Sequence, residues 1–240
     1  MLLCFGSFIM MPRREVAMCE LDHREMPAFV SRGGIKLENA LIASGLDVSG
    51  RRALDVGAST GGFTDCLLKR GATGVIAVDV GYGQLDWGLR NDSRVTVLER
   101  TNARALTLEL LSYTPDLASI DVSFISLAKV LPAVLGCMAE SYDVLAMIKP
   151  QFEVGRAIAS KGRGVVRDPE DRRAALVGVG EAALGLGASV LGYYSSELTG
   201  PKGNKETFVW LAEPGRAGRS SIGGAESSED VERMARRVEP

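Results

Sequence analysis

The chain has 240 residues, of which 46% are hydrophobic and 24% charged, and its formal net charge at pH 7 is −2. This is the composition of a globular protein with a sizeable core, and it lacks the strongly basic balance of many nucleic-acid-binding domains. Four cysteines with no C-x-x-C pair and a single histidine, His23, argue against a zinc knuckle, a disulfide framework and most histidine-based chemistry.

The first 28 residues show no sustained hydrophobic period, and we expect them to form an irregular arm or remnant. Their opening apolar run, residues 1–11, is too short to cross a bilayer and lacks the basic start of a secretory signal. Because no later segment approaches membrane length either, the sequence predicts a cytoplasmic protein with no membrane partner.

From residue 29 onward, short apolar runs alternate with amphipathic segments, which predicts a mostly parallel α/β sheet. A first helix is predicted over Gly34–Ser44, with Gly45 as its stop and four side chains facing inward: Ile35, Ala40, Leu41 and Ile42. Strands are predicted at Arg52–Val56, Gly74–Asp79, Val95–Leu98, Leu117–Val122 and Val144–Ile148.

A long helix is predicted over Pro169–Leu186, with Asp168 as its N-cap. Two closing strands follow at Ser189–Ser195 and Thr207–Leu211. The segment after residue 213 is rich in Gly, Ser, Arg and Glu, and we expect a mobile tail with a short helix near Val231–Arg237. The predicted organisation is therefore an arm (1–28), one domain (29–213) and a tail (214–240).

A glycine-rich turn joins the first strand to the next helix. It reads Asp55-Val56-Gly57-Ala58-Ser59-Thr60-Gly61-Gly62-Phe63, so its spacing is G-x-x-x-G-G and differs from the G-x-G-x-x-G of a dinucleotide site. Glycines at such a turn let a ligand approach the backbone. The acid before the turn would repel a pyrophosphate but attract a cationic amino-acid end such as that of S-adenosylmethionine; a tight turn without a ligand is the alternative.

A second cofactor signal lies one strand later. Asp79 follows the second strand about 20 residues after the turn, where a carboxylate can accept both ribose hydroxyls of an adenosine. Asn102 comes just after the third strand, where a residue that contacts adenine is expected. Together these positions favour a nucleoside-containing cofactor at the carboxyl ends of the strands.

Four charged residues fall at the ends of predicted elements on the same side of this sheet: Lys36, Asp121, Lys149 and Glu206. Lys149 is the most notable because it directly follows the apolar run of residues 144–148. A lysine that surfaces at a strand end is often only solvated, so this position alone does not establish catalysis.

Five ordered strings give the chain a resemblance to a known family. They are Ser31-Arg32-Gly33-Gly34-Ile35-Lys36-Leu37, the glycine turn, Ser119-Ile120-Asp121-Val122-Ser123-Phe124-Ile125-Ser126, Ile148-Lys149-Pro150-Gln151-Phe152-Glu153 and Gly200-Pro201-Lys202-Gly203-Asn204-Lys205-Glu206. Over residues 29–211 the chain resembles the TlyA family, haemolysin-A-like rRNA methyltransferases of the FtsJ-type 2′-O-methyltransferase class.

The resemblance implies a Rossmann-like S-adenosylmethionine-dependent methyltransferase fold, with a mostly parallel seven-stranded sheet, an antiparallel last strand and helices on both faces. It also implies methylation of a cytidine ribose 2′-hydroxyl in 16S or 23S rRNA, without a metal. The family's catalytic set falls on Lys36, Asp121, Lys149 and Glu206. The positions implied for the cofactor are Asp55, Gly57, Ala58, Ser59, Gly61, Gly62, Phe63, Asp79, Val80, Asn102 and Asp121.

Lys149 is the group expected to take or share the hydroxyl proton, because a partly desolvated lysine beside a second cation gives up its own proton more readily. On this hypothesis Lys36 and Glu206 position the hydroxyl and tune Lys149, and Asp121 orients the hydroxyl near the methyl group.

The family usually carries an S4-like RNA-binding domain before the Ser-Arg-Gly-Gly string, and the roughly thirty residues that precede it here do not read as that domain. RNA contacts are therefore expected from Arg32 and from the loop after the fifth strand, where Arg172 and Arg173 are additional basic candidates. The loop residues predicted to bind RNA phosphates are Arg156, Lys161, Arg163 and Arg167.

Two other functions stay open from the residues: a non-catalytic rRNA-binding or assembly factor, and a methyltransferase that acts on a small molecule. Four charged residues retained together favour the RNA enzyme over both. A pore-forming haemolysin is disfavoured because no apolar run reaches membrane length. The sequence does not indicate an oligomeric state.

Overall fold

Seven strands form one sheet in the order β3-β2-β1-β4-β5-β7-β6. Only β7 runs antiparallel to its neighbours, as the resemblance implies. The computed structural model describes residues 29–218 and 223–239, so the predicted arm, with His23, lies outside the described residues. The strands are β1 Arg52–Val56, β2 Gly74–Val78, β3 Val95–Leu98, β4 Leu117–Ile120, β5 Asp143–Ile148, β6 Ser189–Ser195 and β7 Thr207–Ala212.

Helices cover both faces of this sheet. They are α1 Arg32–Ser44, α2 Gly62–Lys69, α3 Trp87–Arg90, α4 Leu131–Leu135, α5 Pro150–Glu153, α6 Arg156–Lys161, α7 Pro169–Gly185 and α8 Ser228–Val238. Side chains that alternate along a strand point to opposite faces, so β1 buries Leu54 in one core, with α4, α7 and α8, and Ala53 in the other, with α1 and α2. No helix of the described residues is both long and apolar enough to span a membrane.

The predicted strands and the first two predicted helices are present with boundary shifts of at most two residues. The predicted N-cap is confirmed: Asp168 accepts a hydrogen bond from Glu170 N at 3.0 Å. One inward position is wrong. Ile42 is 54% exposed, because it lies about 100° around α1 from Leu41 and so outside the buried stripe.

The expected mobile tail contains a docked helix. α8 is longer than the predicted 231–237, and Ser227 caps it by accepting a hydrogen bond from Asp230 N at 3.2 Å. Its apolar face buries Val231 and Ala235 in the same core as α7. This packing holds the described part of the segment against the domain.

Candidate active site

The turn after β1 needs glycine at position 57 because the backbone that follows the neighbouring strand β4 lies very close to it. Gly57 has a φ of 88°, and a Cβ added to it would lie 2.5 Å from the carbonyl oxygen of Asp121. The turn is therefore held against the end of β4, the strand that carries one of the predicted catalytic acids.

The last two glycines of the turn serve packing and do not line a cleft. A Cβ on Gly61 would lie 2.3 Å from the side chain of Leu89, and one on Gly62 would lie 2.8 Å from Gly34 N. The close contact between Gly62 and Gly34 seats α1 on α2. This contact explains why the Ser-Arg-Gly-Gly string and the glycine turn occur together, and it brings Lys36 towards the strand ends.

Two predicted cofactor residues are buried away from any cleft. Phe63 is 3% exposed and packs against Phe208, with ring centroids 5.8 Å apart, so its ring belongs to the core and does not line the cleft beside the turn. Asp55 is fully buried, and its carboxylate accepts hydrogen bonds from Thr64 Oγ1 at 2.6 Å and Ser119 Oγ at 3.1 Å. Burial raises the pKa of Asp55 to about 7. Its carboxylate braces the turn and does not face a cationic ligand directly.

A cleft of about 520 Å³, here called the Asp79 cleft, lies beside the turn. Its walls include the predicted residues Gly57, Ser59, Asp79, Val80, Asn102 and Asp121. Ala58 does not line it, although its backbone N–H anchors the turn to Val78 O at 3.0 Å.

The Asp79 carboxylate is fixed by two backbone donors. Its Oδ2 accepts from Ser59 N at 2.8 Å and its Oδ1 from Gly81 N at 2.7 Å. Each oxygen keeps a further acceptor position for a ribose hydroxyl. The cleft has the volume of a small-ligand site, roughly 300–1,000 Å³, so the residues present fit a nucleoside cofactor.

A second cleft, here called the Lys149 cleft, has a volume of about 710 Å³ and brings all four predicted catalytic residues together. Asp121, Ser123 and Phe124 line both clefts. The space for a cofactor and the space beside the charged residues therefore meet at the loop that follows β4.

The four charged side chains form two ion pairs. Lys36, from α1, pairs with Glu206, just before β7, and both are nearly buried, at 8% and 3% exposure. Lys149 Nζ lies 2.5 Å from Asp121 Oδ1 and donates a hydrogen bond to Ser123 Oγ at 2.8 Å. Among the described residues Asp121 Oδ1 has no aligned hydrogen-bond partner, so its contact with Lys149 is an ion pair only. Each lysine is thus matched by a carboxylate, an arrangement that differs from the expected pair of neighbouring cations.

Neighbouring residues hold these charges in place. Glu153 accepts a hydrogen bond from Leu127 N at 2.9 Å and so ties α5 to the loop after β4; burial raises the pKa of Glu153. A Cβ on Gly200 would lie 2.4 Å from Glu206 Oε1, so any other residue at this position would displace the carboxylate from its present place. Residues next to the charged ones therefore have roles of their own. This explains why each of the three sequence motifs that contain Asp121, Lys149 and Glu206 is longer than its charged residue.

Phe124 is 91% exposed and has a left-handed φ of 63°. Its ring lies 5.1 Å from that of Phe152, centroid to centroid, at the junction of the two clefts. An exposed aromatic side chain on strained backbone indicates a binding role, because neither burial nor local geometry favours it. Ser123 and Phe124 were not singled out from the sequence; their position between the catalytic acid and β5 was the available signal.

The basic residues predicted to contact RNA differ in where the structure places them: at the Lys149 cleft, on the surface near other elements, or outside the described residues. Arg163 lines the Lys149 cleft together with Lys202, which the sequence did not single out, and neither has an ion-pair partner within the described residues. Lys161 and Arg167 are exposed beside it, and Arg32 donates to Thr199 O at 3.1 Å. The side chain of Arg156 lies outside the described residues.

The additional candidates Arg172 and Arg173 are both bonded to Glu239, and only Arg173 remains partly exposed. Arg172 is 8% exposed and forms a bidentate pair with Glu239, while Arg173 donates to the Glu239 carbonyl at 3.1 Å. A role for Arg172 in binding phosphate is therefore wrong. In the described part of the chain, no three His, Cys, Asp or Glu side chains cluster as metal ligands would.

Comparison with known proteins agrees with this geometry. Residues 29–213 match the model of the FtsJ-like methyltransferase family. Over 184 residues the chain is 55% identical to the 16S/23S rRNA (cytidine-2′-O)-methyltransferase TlyA of Mycobacterium tuberculosis, a match that covers 77% of this chain and 68% of that protein. The chain belongs to the TlyA family of FtsJ-like methyltransferases.

Solved structures support the same fold. A Lactococcus lactis protein provisionally named a hemolysin superposes with a TM-score of 0.78 at 40% identity, over 88% of this chain and 99% of that one. An S-adenosylmethionine-dependent methyltransferase from Mesorhizobium loti superposes with a TM-score of 0.54 at 17% identity, over 76% of this chain and all of that one. At that identity the second likeness shows the fold alone, and the fold is the expected Rossmann-like one.

Proposed function

We propose that this protein transfers the methyl group of S-adenosylmethionine to the ribose 2′-hydroxyl of a cytidine in ribosomal RNA. The observation that carries the proposal is the shared wall of the two clefts, which puts Lys149 and Asp121 beside the space that fits a nucleoside cofactor. The ribosomal substrate is supported by the name of the relative from M. tuberculosis.

S-adenosylmethionine, when bound, supplies a methyl group that its sulfonium makes electrophilic. The residues proposed to hold it are those that line the Asp79 cleft, with Asp79 accepting from the ribose and Asn102 near the base. Positioning two reactants in this way can lower a barrier by roughly 7–11 kcal/mol without covalent help from the enzyme.

Lys149 is the group placed to accept or share the proton of the incoming hydroxyl. In its unprotonated form the Lys149 amine has two N–H groups and one lone pair, so it can donate to Ser123 Oγ and Asp121 while its lone pair takes the proton of the hydroxyl. Taking that proton converts Lys149 into the ammonium of the Lys149–Asp121 ion pair. The Lys36–Glu206 pair lines the same cleft, and the ammonium of Lys36 has N–H groups beyond the one bonded to Glu206 that can donate to the oxygen as it loses its proton.

The Lys149 cleft also has features suited to a nucleotide. Phe124 offers an exposed ring on which a base can stack, a contact worth about 1–3 kcal/mol in single-stranded nucleic-acid complexes. Arg163 and Lys202 at the cleft, with Lys161 and Arg167 beside it, form a local basic surface on a chain whose net charge is −2. Binding through such a surface should weaken steeply as salt is raised.

Product analysis tests the proposal. Purified protein is incubated with S-adenosylmethionine labelled in its methyl group and with ribosomal subunits that lack the modification, and the RNA is digested to nucleosides. We expect labelled 2′-O-methylcytidine from the wild type and none above background from Lys149→Ala, with both proteins binding the cofactor equally. The exposed Lys129→Ala is the matched control and should keep full activity.

Three outcomes of this experiment would contradict the proposal. Label on another nucleoside or on a base atom would change the reaction, and label on a small molecule alone would change the substrate class. Absence of any label, with tight RNA binding, would favour the non-catalytic binding factor.

A further inference from the structure

One wall of the Lys149 cleft is held in position by a residue that does not line the cleft. The wall consists of residues 162–167, which join α6 to α7 and belong to no helix or strand. Arg163 and Gly164 line the cleft, and both have left-handed backbone, with φ of 53° and 85°. Backbone hydrogen bonds tie residues 162–165 to one another and to the end of α6, for example Gly164 N to Ala159 O at 2.8 Å. The second half of the segment depends on side chains from other elements, which bond Val166 N and the carbonyls of Val166 and Arg167.

The first of these side chains is Asn204. It is 2% exposed, its Nδ2 donates to Gly164 O at 2.7 Å, and its Oδ1 accepts from Val166 N at 2.9 Å. This anchor comes from the loop that also carries Glu206, so it belongs to the site itself.

The second anchor is Arg172, on the first turns of α7. Its Nη1 donates to the carbonyl oxygens of Arg167 at 2.5 Å and Val166 at 3.4 Å. Its Nε and Nη2 donate to the two carboxylate oxygens of Glu239, each at 2.8 Å. One planar guanidinium therefore links the cleft wall to the residue that follows α8.

Glu239 is itself buried, at 4% exposure, and its carbonyl accepts from Arg173 at 3.1 Å. A guanidinium with a bidentate carboxylate partner is fixed in rotation, so its remaining N–H groups point in one direction. Without that partner a buried Arg172 would keep its charge but lose its orientation, and the carbonyls of the wall would lose a fixed donor.

We propose that Glu239 is a positioning residue for RNA methylation: through Arg172 it holds residues 162–167 in the shape that receives the substrate. This inference rests on the proposed function and assigns a substrate-binding role to α8, the helix that the sequence placed in a mobile tail. Glu239 lines neither the Asp79 cleft nor the Lys149 cleft, so its effect should fall on RNA binding through the wall it holds.

The test compares Glu239→Gln with Glu229→Gln, at an exposed glutamate in the first turn of α8, so the two variants carry the same charge change. We expect Glu239→Gln to raise the KM for RNA about tenfold, the usual effect of losing a hydrogen bond to a charged group. The Kd for S-adenosylmethionine should not change. Glu229→Gln should match the wild type in both constants.

Limited trypsin digestion measures how accessible residues 162–167 are to cleavage, and it does so independently of activity. Lys161, Arg163 and Arg167 are cleavage sites within or beside this wall, and Lys129 provides an internal reference. Cleavage at the three wall sites should be faster in Glu239→Gln at an unchanged rate after Lys129. Equal acceleration at all sites would mean general destabilisation and would overturn the proposal.

A double variant, Arg172→Leu with Glu239→Leu, separates positioning from stability. Two leucines restore apolar packing between α7 and α8 without a buried charge, so the double variant should fold even where the single variant does not. It still lacks a donor for the carbonyls of the wall. We therefore expect faster cleavage at the wall and a raised RNA KM.

Wild-type cleavage and wild-type KM in the folded double variant would overturn the proposal, as would faster cleavage with an unchanged KM. If the wild type methylates no ribosomal RNA, the proposed function fails, and wall cleavage alone still decides whether Glu239 holds residues 162–167.

Discussion

The buried carboxyl of Asp55 yields a quantitative prediction about pH. It sits at 0% exposure at the end of β1 and accepts hydrogen bonds from two hydroxyls. Desolvation by burial is the largest influence on its pKa and raises it to about 7; the hydroxyls of Thr64 and Ser119 oppose this rise, and the charge of Asp121 adds to it. Asp55→Asn keeps the shape and removes the ionisation; one hydroxyl can still donate to the amide oxygen, and the other can turn to accept from the amide NH2.

The direction of the effect follows from proton binding. In the unfolded chain the carboxyl has its ordinary pKa of 3.8, so between about pH 4 and 7 the folded chain holds a proton that the unfolded chain has lost. The free energy of unfolding that this group contributes falls as pH rises through this window and is constant above it. A difference of about three pKa units corresponds to about 4 kcal/mol, of which about 3 kcal/mol is lost between pH 5 and 8.

Denaturant unfolding of the wild type and Asp55→Asn across pH 5–8 measures this contribution. The stability of the variant relative to the wild type should increase with pH by about 3 kcal/mol. Asp47→Asn, at an exposed carboxylate, controls for the change of net charge. A difference between Asp55→Asn and the wild type that stays flat from pH 5 to 8 would refute the account of a neutral buried carboxyl.

Three further variants test the site and its support. Glu206→Gln leaves Lys36 buried without its carboxylate, so it should lower the free energy of unfolding by about 3–5 kcal/mol and abolish methyl transfer, measured by denaturation and by label incorporation; an active, stable variant would contradict this. Phe124→Ala should leave the melting temperature unchanged, because the ring is exposed, but raise the KM for RNA; an unchanged KM would exclude base stacking there. Gly62→Ala should cost about 1–3 kcal/mol through its clash with the first turn of α1, whereas Gly178→Ala, with open space around it, should cost nothing by the same denaturation assay.

The sheet could be predicted from the sequence because buried parallel strands appear as continuous apolar runs. Residues 144–148 are such a run, and the structure extends it by only one residue, to β5 Asp143–Ile148. The order of the strands in the sheet was not predicted, since no local pattern encodes which strands are neighbours; the family resemblance implied only seven strands with an antiparallel last one.

That the four charged side chains meet was predictable in part, because Asp121 and Lys149 follow two neighbouring parallel strands, which end at one edge of the sheet. The roles proposed for all four were implied by the family resemblance. What the sequence did not reveal is which side chains of a motif face a cleft. Phe63 and Gly62 belong to the glycine turn but serve packing, and Asp55 braces the turn from within. The sequence motif identifies the glycine turn as a whole. Which of its side chains face the cleft depends on how the neighbouring helices pack, and the motif does not encode that.

Contacts between distant segments were beyond the sequence altogether. Arg172 and Glu239 are 67 residues apart, and no periodicity links them. Composition placed Glu239 in a polar tail and Arg172 in a basic cluster, because each residue was weighed without its partner. Both residues have charged side chains of the kind usually found at the surface, and they form a buried ion pair only because α8 packs on α7.

The central claim is that a ribose hydroxyl in RNA receives the methyl group. The most direct measurement uses two RNA substrates that differ by one oxygen: the mapped target cytidine carries its 2′-hydroxyl in one and is 2′-deoxycytidine in the other. The account predicts label in the first substrate and none in the second, at equal binding. Equal methylation of both would place the methyl group on another atom and contradict the account.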